Sequence, residues 1–149
     1  MFAAVSRKRY YLAIIFCCLL GALASALALE HHYRRDQSSF CNFNTTFNCD
    51  VVNRSAYSEL AGIPVALLGL MAYLFMIGLC VFQKEKQETP ALLLFLSGTG
   101  LAFSLYLTYV EAEVLRTWCV LCLTSLISIA LIVVLSALRV RLELREIRP

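Results

Sequence analysis

Four of the seven cysteines in this 149-residue chain fall into two spaced pairs: Cys41 and Cys49, with seven residues between them in a polar loop, and Cys119-Val120-Leu121-Cys122. A C-x-x-C spacing holds two sulfurs about one helical turn apart, where they can join and separate with little backbone motion, so it is a redox spacing. Cys119 stands at the expected start of a helix, where unpaired backbone amides favour thiolate. Apolar surroundings oppose that shift, and buried free cysteines also serve as small hydrophobes. The loop pair encloses a polar, turn-rich stretch, Asn42 to Asn48, that closes easily into a ring. As a static disulfide it would stabilise by about 2 to 3 kcal/mol through chain entropy. A zinc site from the same four thiolates is the weaker reading, because structural zinc ligands are spaced two to four apart within a pair. No metal site is expected. If both pairs lie at one membrane surface, four thiols converge there and can pass electrons through mixed disulfides.

The elements that must position these pairs are membrane helices. The chain is 60% hydrophobic and 15% charged, too apolar for an ordinary soluble domain. Four stretches, 10–29, 62–82, 91–110 and 119–138, contain no Asp, Glu, Lys, Arg or His, and each approaches the roughly 20 residues that cross a hydrocarbon core. Backbone amides in lipid need internal partners, and none of the stretches alternates with period two, so each is read as a helix. The expected fold is an all-α integral membrane protein: one membrane domain over 1–149, a four-transmembrane-helix bundle with an outer loop at 30–61. The first stretch follows Arg7, Lys8 and Arg9 and precedes small-residue sites at Ala24-Ser25-Ala26 and Ala26-Leu27-Ala28, as in a cleaved signal peptide. Its apolar run is longer than a signal core of about 7 to 15 residues, so it is read as a retained span.

Basic flanks orient the bundle. With the N-terminus inside, nine basic residues lie in inner segments (Arg7, Lys8, Arg9, Lys84, Lys86, Arg139, Arg141, Arg145, Arg148) and four in outer ones (Arg34, Arg35, Arg54, Arg116). Both termini are therefore expected in the cytoplasm. Both cysteine pairs then face the extracytoplasmic, oxidising side. The net charge of +3 is accounted for by topology, and no nucleic-acid partner is expected. The basic and apolar tail at 139–149 is read as extending the fourth helix to the lipid headgroups. Cys17, Cys18 and Cys80 lie too far inward to reach the outer pairs and are read as packing residues; His31 and His32 are read as headgroup-level polar residues rather than metal ligands.

A larger constellation surrounds the cysteines. Asp50 and Ser55 follow Cys49, Tyr57-Ser58 and Gly62-Ile63-Pro64 open the second stretch, Tyr106-Leu107-Thr108-Tyr109-Val110-Glu111 closes the third, and Trp118 precedes the C-x-x-C. In this order, from Cys41 to Cys122, the set resembles the vitamin K epoxide reductase family, particularly its prokaryotic branch of quinone-coupled disulfide-forming oxidases.

The resemblance implies a relay. Electrons pass from a thioredoxin-fold partner of the DsbA kind to Cys41 and Cys49, then to Cys119 and Cys122, then to a quinone of the menaquinone, ubiquinone or vitamin K type. Cys41 would exchange with the partner, Cys49 with Cys119, and Cys122 would face the quinone. It also implies a short amphipathic helix at 50–61 over the pocket, with Ser55 and Tyr57 near the quinone. Leu126, four residues after Cys122, stands where vertebrate members carry a tyrosine that contacts vitamin K, which argues against epoxide reduction. Many members carry a fused thioredoxin-like domain after the helices; this sequence stops at Pro149, so a separate partner polypeptide is expected. Glu111 is read as a headgroup-level carboxylate, with proton delivery to the quinone as the alternative. Gly69, Gly98 and Gly100 are read as packing residues. Asn44-Thr45-Thr46 and Asn53-Arg54-Ser55 would be glycosylation acceptors only in an endoplasmic reticulum. Against the oxidoreductase stand an epoxide or quinone reductase using the same cysteines, and a non-catalytic bundle fastened by inert disulfides.

Overall fold

The computed structural model describes residues 2–34, 42–83, 86 and 88–147. Four helices are long and apolar enough to cross a membrane: α1 (Phe2–Tyr33), α3 (Val65–Phe82), α4 (Thr89–Tyr109) and α5 (Val120–Ile147), with the short α2 (Cys49–Asn53) between the first two. The fold is the expected all-helical membrane bundle. Their outward faces remain apolar: Phe16, Phe75 and Phe82 are all more than half exposed, a surface tenable in hydrocarbon and not in water.

Helix ends depart from the apolar stretches. α1 begins well before residue 10, and α5 runs on to Ile147. The extension is helical because basic residues there have partners along the helix and across it: Arg139 Nε meets Glu143 Oε1 at 3.1 Å, and Arg7 lies 4.0 Å from the same oxygen. The outer connector is not one amphipathic helix over 50–61. It breaks into α2, a 3₁₀ turn at Ala56–Ser58, and a small antiparallel hairpin of β1 (Glu59–Leu60) and β2 (Ile63–Pro64). Its two-residue turn places both Ala61 (φ 54°) and Gly62 (φ 80°) in the left-handed region, as a type I′ hairpin turn requires. Pro64, with no N–H to donate and its φ restricted, delays α3 until Val65.

α1 packs along α3 and α5, while α4 leans mainly on α5. The core at the end that carries both chain termini is built from Ile14, Cys18, Tyr73, Met76 and Ile132. Close approach depends on Gly21: a Cβ there would lie 2.2 Å from the Tyr73 ring. Gly69 and Gly100 also meet neighbours, Ser25 and Ile129, while Gly98 has open space around it. At the opposite end, a second buried cluster joins Ala28, Cys49, Val52, Cys119 and Leu121, with Cys122 packed against it.

Candidate redox site

Three of the four expected thiols meet in that second cluster; Cys41 lies outside the described residues. The meeting is enforced by backbone. Trp118 N donates to Thr46 O at 2.8 Å and Asn48 N donates to Trp118 O at 3.1 Å, so the residue before the C-x-x-C is stitched to the loop that ends in Cys49. Asn48 then caps α2, its side-chain oxygen accepting from Asp50 N and Val51 N at 3.1 and 3.2 Å. From α1, His31 pairs with Asp50 at 3.3 Å, and Asn42 donates to the other Asp50 oxygen at 2.7 Å. His32 Nδ1 donates to Asn53 O at 2.6 Å, and its Nε2 lies 3.2 Å from Glu59. The two histidines are therefore not headgroup residues: His31 is buried, and together they moor the loop and α2 to the top of α1.

The C-x-x-C sits where α5 begins. Cys119 precedes the helix and acts as its cap, its Sγ accepting from Cys122 N at 3.3 Å. The Asn53 side-chain amide points at the same sulfur from 3.8 Å. A hydrogen bond from the Cys122 thiol, aided by the Cys122 N–H, holds the Cys119 thiol below the ordinary cysteine value against the opposing effect of burial. Cys119 is fully buried. Cys122, one turn on, is only partly buried and lines a cavity of about 530 Å³.

That cavity lies within the bundle, beneath the connector, with walls from α1, α3, α4 and α5. Its walls are mostly apolar, with residues such as Leu68, Met76, Phe95 and Phe103, and its polar lining includes Asn53, Ser55, Tyr57, Glu111 and Ser125. Its size and lining fit a flat aromatic ring with an apolar tail. Of the residues expected near a quinone, Ser55 and Tyr57 line the cavity. Leu126 does not appear among the lining residues. Leu121, Cys122, Ser125 and Ile129 do; at about 100° per residue these span one arc of α5, and Leu126 falls roughly 40° beyond the edge that Cys122 marks. Ser125 there receives the Tyr73 hydroxyl, which donates to its carbonyl at 2.9 Å, so a tyrosine enters this wall from α3.

Glu111 corrects the sequence reading most. It is 2% exposed, not a headgroup residue. Past Tyr109 the backbone widens into a π-helical turn, Val110–Leu115, which ends at Arg116 in the left-handed region (φ 50°). The turn holds Glu111 inward, and its Oε2 accepts from Cys119 N at 3.0 Å. Asn53, Tyr73 and His32 were missed by sequence reasoning. The only signal for Asn53 was its distance from Cys49, one turn of helix on.

A four-helix membrane bundle that seals a dithiol against a deep apolar cavity defines a membrane protein built for redox chemistry. Residues 12–137 match the model of the Vitamin K epoxide reductase family. The chain belongs to that family, and is an integral membrane oxidoreductase.

Proposed function

We propose that this protein oxidises a separate thioredoxin-fold dithiol protein and passes the electrons to a membrane quinone, supporting disulfide formation in exported proteins. The observation that carries the reading is the division of labour in the C-x-x-C: Cys119 is sealed beside Cys49, and Cys122 opens to the cavity. The partner's thiolate attacks the Cys41–Cys49 disulfide at Cys41, and resolution of the mixed disulfide leaves the partner oxidised and the loop pair reduced. Cys49 then reduces the Cys119–Cys122 disulfide at Cys119, restoring the loop disulfide. The reduced C-x-x-C returns to its disulfide by giving two electrons and two protons to the quinone, so that one partner disulfide and one hydroquinone form per cycle. The Asn53 amide and the α5 amides favour Cys119 as thiolate and leaving group, which speeds both exchanges through it. A DsbA-type partner, near −120 mV, demands an acceptor of similar or higher potential, because each 30 mV is worth about 1.4 kcal/mol for two electrons. Ser55 and Tyr57 are proposed to orient the ring from above. Both termini are placed in the cytoplasm by the positive-inside balance, with the thiols on the outer side.

The test is thiol alkylation of such a partner after incubation with this protein in quinone-containing membranes. Wild type is expected to oxidise it, while Cys119→Ala and Cys122→Ala leave it reduced. A partner that stays reduced with wild type, or that is oxidised without either cysteine, overturns the proposal.

A further inference from the structure

The Glu111 carboxylate is more deeply buried than a helix cap requires. One oxygen, Oε2, accepts the Cys119 N–H, and the Cys122 thiol lies close enough to the carboxylate for a side-chain hydrogen bond, while Oε1 is buried without a hydrogen bond of ordinary geometry among the described residues. An unsatisfied buried polar atom costs about 1 to 3 kcal/mol, more when charged, and such a cost retained in a folded protein calls for an explanation. The residue belongs to the wall of the cavity that Cys122 also lines, and its charge acts on both thiols of the C-x-x-C. The π-helical turn that holds it there is a backbone form found frequently at functional sites.

We propose that Glu111 is the acid–base group that carries the thiol protons of the Cys119–Cys122 pair to the quinone oxygens. This inference rests on the function proposed above. The Glu111 carboxylate takes the proton of the Cys122 thiol and delivers it to the nearer quinone oxygen. As Cys119, losing its proton by the same route, bonds to the Cys122 sulfur, the two electrons released by forming the disulfide pass to the quinone, which with both protons becomes the hydroquinone. Two thiols become one disulfide, and the two electrons and two protons released are those the quinone gains. Glu111 thus joins proton transfer to electron transfer in a site that apolar walls keep from bulk water.

Glu111→Gln separates this role from capping, since the amide oxygen still accepts the Cys119 N–H while the side chain no longer carries a proton. In single-turnover reduction of a short-tailed quinone by the dithiol-reduced protein in detergent, Glu111→Gln is expected to be slower by about 10²-fold, with quinone affinity unchanged; Glu111→Asp recovers part of the rate. A second measurement uses quinone-free protein: alkylation of Cys119 across pH. Removing the negative neighbour moves the Cys119 alkylation step to lower pH. The other titratable groups around the cavity, His32 from α1, Tyr57 from the connector, Tyr73 from α3 and Cys122 from α5, are the same in both proteins. Wild-type turnover with an unslowed Glu111→Gln overturns the role of Glu111 alone. If Glu111→Gln does not fold, Glu111→Ala takes its place in the same assay, and an unslowed rate there overturns the role. A wild type that reduces no quinone overturns the proposed function and this role with it.

Discussion

Free thiols lie at both ends of the bundle, and the contrast between the two groups shows what turns a buried cysteine into a reagent. At the end bearing the chain termini, Cys17, Cys18 and Cys80 are buried among Ile14, Tyr73, Met76 and Leu79. These sulfurs pack as small apolar side chains. At the other end Cys119 is equally buried, yet its sulfur meets a helix N-terminal amide and the Asn53 amide. Its partner Cys122 opens to a cavity. On the function proposed above, the same side chain serves as filler or as nucleophile according to the donors aimed at it and the space beside it.

The comparison breaks most sharply if the cysteines are exchanged in role. Replacing Cys17, Cys18 and Cys80 together by Ala is expected to leave dithiol-driven quinone reduction unchanged, whereas Cys122→Ala alone abolishes it. Quinone reduction followed by absorbance decides the matter; loss of activity in the triple variant while it remains folded would mean that the inner thiols also take part. A smaller effect is expected at Asn53. Asn53→Ala removes a donor to the Cys119 thiolate, an interaction of about 1.5 kcal/mol. That corresponds to a roughly tenfold fall in thiolate at a given pH below the titration. Losing a group that favours the charged form raises the Cys119 pKa, so its alkylation step moves to higher pH, opposite in sign to the shift in Glu111→Gln. The smallest effect belongs to Tyr73, which lies in the inner core and reaches the cavity wall through its hydroxyl. Tyr73→Phe keeps the ring against Gly21 and loses only the bond to Ser125, so a drop of about 1 kcal/mol in unfolding stability is expected, read by thermal melting in detergent.

The small residues show how partial a sequence reading of packing is. Gly69 and Gly100 do meet neighbours at close range, but the tightest approach is at Gly21, against Tyr73. Whether a glycine is an empty position or a contact point depends on which helix lies over it, and hydropathy along one helix carries no such information.

What the sequence by itself determined is whatever depends on neighbours along the chain. The four spans follow from summed hydropathy over about 20 residues, and the pairing of Cys119 with Cys122 follows from the 3.6-residue turn. The capping of α2 by Asn48 is local in the same sense. Only the tertiary structure decided the rest. The loop reaches the C-x-x-C through backbone bonds to Trp118, seventy residues beyond Asn48, and His31 of α1 finds Asp50 only once the connector folds back. Glu111 turns inward because the π-helical turn changes its phase, and Leu126 misses the cavity because it falls just past the edge of the arc that α5 presents to it. Each of these outcomes depends on which surfaces meet, and that is set by packing between helices rather than by any residue's own preference.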